Sequence, residues 1–165
     1  MSRASVGTAG VDDRGTVVRF ATAASPGTVR LTEELHANRI FLNDIIQTGA
    51  GLTVTLPRAT GTGNKYTIVN NAVQTLSTIF NVSSIDVMTG VNFALSTTTT
   101  NTDVCLTAST SDTITMNATT TGGLGGDWAE FVDMRQDASG TGVWLVRLFT
   151  SGSGTMATPF SAAVS

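Results

Sequence analysis

Residues 52–56 set the strongest limit on what this chain can fold into: Leu52, Val54 and Leu56 alternate with Thr53 and Thr55, and Pro57 ends the run. Successive side chains of an extended segment point to opposite faces, so one face here is aliphatic and the other carries hydroxyls. This is the pattern of a half-buried strand. The rest of the chain supports it, because thirty of the 165 residues are threonine. A β-branched hydroxyl residue suits a pleated, half-exposed surface and loses rotamer freedom on a helix. The charged fraction is only 13% against 41% hydrophobic, so the Glu/Lys surface of an ordinary helical protein is missing. The class expected is all-β.

Turn residues divide the chain into short segments. Residues 16–21 and 28–31 flank Ser25-Pro26-Gly27 and predict two strands. Residues 33–46 fit two patterns: Leu35, Ile40, Phe41 and Ile45 partly match a helical stripe, while 39–43 match a strand, the favoured reading. After Pro57, Gly61-Thr62-Gly63-Asn64 turns the chain, and 66–69 is expected to return as the hairpin partner of 52–56. Further strands are expected at 78–82, 85–88, 92–95, 104–108, 113–117, 128–134 and 143–149. The last is apolar on both faces, so it should be a central strand or one covered by another subunit. The resemblance of 53–56 to 113–116 is too short to assign a repeat.

Short strands at this spacing predict an antiparallel β-sandwich or a small barrel, with no alternating βαβ units. The organisation expected is a flexible N-terminal arm over 1–14, a β-domain over 15–150 and an extended C-terminal tail over 151–165, anchored by Phe160.

Charge and motifs narrow the function. The formal net charge is -3 and Lys65 is the only lysine, so no basic stripe exists to neutralise phosphates, and nucleic acid is not an expected partner. No apolar run of membrane-spanning length or secretory character is present, and the chain reads as soluble and made in the cytoplasm, with no membrane partner. Cys105 is the one cysteine and cannot form an intrachain disulfide, so stability must come from packing or from association.

Catalytic constellations are scarce. His36 is the sole imidazole and Cys105 its only possible thiol partner, and no GxSxG elbow accompanies them. Cys105 reads as a small buried or half-buried thiol and His36 as a surface or interface residue. The doublets Asp12-Asp13 and Glu33-Glu34 read as solvated charge, because adjacent strand residues face opposite ways. Asp127, Asp133 and Asp137 could offer oxygens to calcium, but DxDxDG spacing is missing. The Gly-rich pieces 61–65 and 122–126 read as turns, since neither completes a phosphate-loop motif. Tyr66, Trp128 and Trp144 could form a sugar or base platform but fit core positions better. Asn81 and Asn117 lie in formal glycosylation sequons to which no role is given. The expectation is no enzyme, with no catalytic, cofactor-binding or metal-binding residues.

Residues 52–57, Ala59-Thr60-Gly61-Thr62-Gly63, 66–68, Thr120-Thr121-Gly122-Gly123, Gly126-Asp127, Gly152-Ser153-Gly154-Thr155 and Ala157-Thr158-Pro159-Phe160 together resemble small structural proteins of tailed-bacteriophage particles. Capsid decoration (cement) proteins and head or tail fibre domains are of this kind. The resemblance implies a virion structural protein on the capsid surface, stabilising the shell, with the major capsid protein as partner and a homotrimer as its own assembly. Trp144 and Phe149 are the core or interface candidates for that assembly. The alternatives are a trimeric fibre or spike knob that contacts the host receptor, and a virion-associated carbohydrate-active enzyme, for which no acid/base pair is visible.

Overall fold

A computed structural model describes residues 17–19, 27–44, 51–98, 100–136 and 138–164. The expected arm over 1–14, with Asp12 and Asp13, lies outside the described residues, as does Asp137. The elements are β1 (Val17–Arg19), β2 (Thr28–Arg30), α1 (Glu33–His36), β3 (Arg39–Asn43), β4 (Leu52–Thr55), β5 (Lys65–Asn70), β6 (Thr78–Asn81), β7 (Asp86–Ser96), β8 (Thr102–Leu106), β9 (Thr113–Met116), β10 (Trp128–Gln136), β11 (Gly142–Gly152) and β12 (Phe160–Ser161). The all-β class holds.

Both readings of 33–46 contain part of the answer. One helical turn is followed at once by β3, and Asn38 makes the break with φ 61°, a left-handed conformation that asparagine tolerates. Its backbone N–H donates to Lys65 O at 2.7 Å, which docks the turn on β5. The strands expected at 85–88 and 92–95 are one strand, β7, running through Gly90. A Cβ there would sit 1.8 Å from Val146 O of β11, so the close approach of these two strands requires glycine.

The strands form two mixed sheets, seven-stranded β1-β3-β5-β10-β11-β7-β8 and five-stranded β12-β9-β6-β4-β2, stacked as a sandwich, and among the described residues neither sheet closes into a barrel. From β1 to β7 the chain alternates between the sheets, so successive strands of one sheet run parallel: Val18 pairs with Phe41 and Phe41 with Ile68, while Val29 pairs with Val54 and Val54 with Phe80. The purely antiparallel arrangement is therefore corrected to a mixed one.

The hairpin expected between 52–56 and 66–69 is also corrected, since β4 and β5 lie in opposite sheets. The crossing segment spends its donors elsewhere. Ala59 N–H goes to Asp86 Oδ2, and Thr60, Gly61 and Thr62 N–H go to the Asp133 carboxylate.

The parallel coils are a repeat that the sequence reading leaves unassigned. Asn43 and Asn70 are 27 residues apart, share a register position and join in the core through Asn43 Nδ2 donating to Asn70 Oδ1 at 3.0 Å. Leu42-Asn43-Asp44 answers Val69-Asn70-Asn71. Stacked coils of this length bury a continuous core that one coil alone could not.

Inward side chains of the two sheets meet in that core. Phe80 packs on Phe131 at 5.5 Å between ring centroids, and Tyr66 meets Trp144 edge-on at 5.7 Å. The segment from 151, expected as an extended tail, packs on the domain. β11 continues to Gly152, Met156 and Phe160 are buried, and β12 pairs with β9. Asp112 Oδ1 holds the last described turn by accepting Ala163 and Val164 N–H. Phe160 does anchor the segment, as a member of the core.

Candidate functional site

The residues with chemical potential are dispersed by the fold. His36 closes α1, where Nδ1 accepts the Thr32 N–H at 2.8 Å and the ring leans on Phe41. Burial, with Arg39 nearby, lowers its pKa. Cys105 lies on the inward side of β8, half-buried, and burial followed by the Asp103 carboxylate raises its thiol pKa. β3, which follows His36, and β8 are five positions apart in the larger sheet, roughly 24 Å at about 4.8 Å per strand. They form no dyad. Glu33 accepts a hydrogen bond from Asn64 Nδ2 at 2.7 Å, and Glu34 is exposed beside it.

The aspartates proposed for calcium are committed to backbone donors. Asp127 accepts from Gly123 and Leu124 N–H and from Ser151 N–H and Oγ. Asp133 accepts from Thr60, Gly61 and Thr62 N–H and from Thr62 Oγ1. Burial pushes the Asp133 carboxyl up, but the bonds from Gly61, Thr60 and Thr62 outweigh it and hold it below the usual range. The glycine-rich loops do cradle anions, and the anions are the protein's own carboxylates. No group of three or more potential metal ligands exists among the described residues. Asn117 is a further clip, its Oδ1 accepting Thr119, Thr120 and Thr121 N–H.

A groove of about 600 Å³ runs past Arg30, Glu33, Glu34 and Arg58. Arg58 donates a hydrogen bond to Gly140 O at 2.6 Å.

The three proposed platform aromatics part company. Tyr66 and Trp144 are buried, and the Tyr66 hydroxyl is pushed up to about 12, first by burial and then by Glu33 and Asp133. Trp128 faces outward and is half-buried. Trp144 and Phe149 are likewise separated: Trp144 is core, and Phe149, an odd number of residues further along β11, lies on the outer face of the larger sheet.

That outer face is the most unusual surface in the molecule. The strand registers place Leu42, Val69, Trp128, Phe149, Phe93 and Val104 side by side in a row across six adjacent strands, from β3 to β8. Phe93 is 49% exposed and Val104 58%. The adjacent row carries Ile40, Val91 and Leu106 around Thr67, Glu130 and Arg147. Glu130 lies 3.3 Å from Arg147 and 3.8 Å from Lys65, so its charge is already matched. The face thus pairs one apolar row with a row that is apolar at its ends and charged at its centre.

The sequence flagged only one strand of it, residues 143–149. The other members lie on separate strands, and only the cross-strand register gathers them.

Comparison with protein-family models, with curated proteins and with solved structures finds no match. Among the described residues no helix is long and apolar enough to cross a membrane.

Proposed function

We propose that this chain is a structural assembly protein of a virus particle: a capsid decoration protein that lies on the major capsid protein and reinforces contacts between capsid subunits without chemical turnover. The observation that carries the reading is the apolar outer face of the larger sheet, set opposite an outer face lined by threonine. A domain with one face suited to protein and the other to water fits between a shell and its surroundings. The resemblance to small tailed-phage structural proteins supplies the particle. The dispersal of His36 and Cys105 and the internal use of Asp127 and Asp133 support a role without catalysis.

Particles assembled with and without the chain test the proposal. Those lacking it should lose their contents at lower temperature and under milder osmotic shock. Equal resistance combined with failed adsorption to cells would favour a receptor-binding fibre knob instead.

A further inference from the structure

The open edge of the larger sheet supports a second conclusion, independent of the particle reading. β8 is an edge strand that pairs with β7, and no strand pairs with its other side among the described residues. Its pairing fixes which backbone groups are left over. Thr107 N–H donates to Gly90 O and Ser96 N–H donates to Asn101 O, in the register that sets Val91 opposite Leu106 and Phe93 opposite Val104. Hydrogen-bonded and non-hydrogen-bonded pairs alternate along an antiparallel ladder. Asp103 and Cys105 therefore bond to β7, while the N–H and C=O groups of Thr102, Val104 and Leu106 point out of the sheet.

Folded proteins blunt such edges with brevity, basic residues or proline. The other edges of this sandwich follow the rule. β1 and β2 have three residues each and carry Arg19 and Arg30, and β12 has two residues. β8 has five residues, with neither proline nor a basic side chain, and its outward Leu106 is 72% exposed.

We propose that β8 pairs antiparallel with β8 of a second copy of this chain, about a two-fold axis at Val104. Strand length selects the register. Outward-pointing groups must meet outward-pointing groups, which an axis on any residue from 102 to 106 allows: on 102, 104 or 106 the axial residues form a hydrogen-bonded pair, and on 103 or 105 a non-hydrogen-bonded one. Only an axis at Val104 engages all five residues. It sets Val104 against Val104 and Thr102 against Leu106. Asp103, the one charge of the strand, then meets Cys105 of the second copy, and no two carboxylates face each other. The apolar row ending at Val104 continues without interruption onto the second copy. Such a contact is isologous and closes with two copies, where the sequence expectation is a trimer.

The test uses the full chain in solution, so its failure is separable from failure of the particle reading. Sedimentation should give a dimer at micromolar concentration. Val104→Pro removes an N–H that bonds nothing in the isolated subunit, and Val104→Lys adds charge at the axis. Each should raise the dimer dissociation constant about tenfold or more, with an unchanged far-UV circular dichroism spectrum. A Val104→Cys/Cys105→Ser variant should form a disulfide-linked dimer under mild oxidation, because directly opposed residues lie within bridging distance. The parent chain, whose only thiol is Cys105, should not. A monomer, a trimer, an association indifferent to Val104→Lys, or efficient cross-linking through Cys105 would each overturn the pairing. If Val104→Pro unfolds, the lysine and cysteine variants decide.

Discussion

The two outer faces of the sandwich share strand geometry and differ in what they show to their surroundings. On the smaller sheet, Thr28, Thr53, Ile79 and Thr115 form one outward row, and Arg30, Thr55 and Asn81 begin the next, which runs through the buried Thr113 to Ser161. On the larger sheet the corresponding row is aliphatic and aromatic from Leu42 to Val104. Threonine satisfies a strand's preference for a β-branched side chain while leaving a hydroxyl for water. Phenylalanine at position 93 gives the hydroxyl up. Covering its exposed part would gain on the order of 1–2 kcal/mol at about 25 cal/mol per Å², and the same gain recurs along the row. Folding of one subunit does not collect that energy, which under the proposed function is collected on the particle.

The largest test of the contrast lies within β11, where inward and outward residues alternate. Trp144→Ala should cost about 3–5 kcal/mol of subunit stability in urea unfolding, as expected for a fully buried aromatic. Phe149→Ala should cost less than about 1 kcal/mol in the isolated subunit, because its environment there is partly solvent. Equal losses would mean that the outer face is packed by the subunit itself.

The strand pattern was legible in the sequence because alternation reports which residues face inward. Alternation does not report which sheet a strand joins. β4 and β5 read as a hairpin because one follows the other through a glycine-rich turn, yet the donors of that turn are committed to Asp86 and Asp133 across the end of the sandwich. The coil repeat was hidden for a similar reason: Asn43 and Asn70 carry it, and their partnership spans 27 residues. Asp127 and Asp133 were legible as residues of consequence, but not as receivers of backbone N–H groups: the donors to Asp133 lie more than 70 residues away, and Asp127 joins its nearby donors Gly123 and Leu124 to the distant Ser151.

A smaller effect is expected at those loops. Asp133→Asn replaces charge-assisted acceptors with weaker ones and should cost about 1–3 kcal/mol. The folded-state pKa of Asp133 lies below its unfolded value, near 3.9 for a free aspartate. Its contribution is therefore complete above about pH 4 and is lost as pH falls through the lower, folded value. Urea midpoints measured from pH 7 down to pH 2 should show Asp133→Asn lying below the parent at neutral pH and converging with it in acid. Parallel curves would show that the carboxylate charge does not hold the loop.

The smallest effect belongs to the threonine face. Thr53→Ser and Thr115→Ser should each change stability by no more than about 0.5 kcal/mol, read from the same unfolding curves. A larger loss would mean that the methyl groups of this face are packed against something.

The central claim is that the larger sheet, and not the smaller, is the face that meets protein in the particle. It is tested most directly by placing one lysine at a time on each face and measuring retention on purified particles by co-sedimentation. Phe93→Lys and Phe149→Lys should reduce retention tenfold or more, since a desolvated charge in an apolar contact costs at least about 1.4 kcal/mol, while Thr53→Lys and Thr115→Lys should leave it unchanged. Retention lost through the threonine-face lysines and kept by those at positions 93 and 149 would contradict the account.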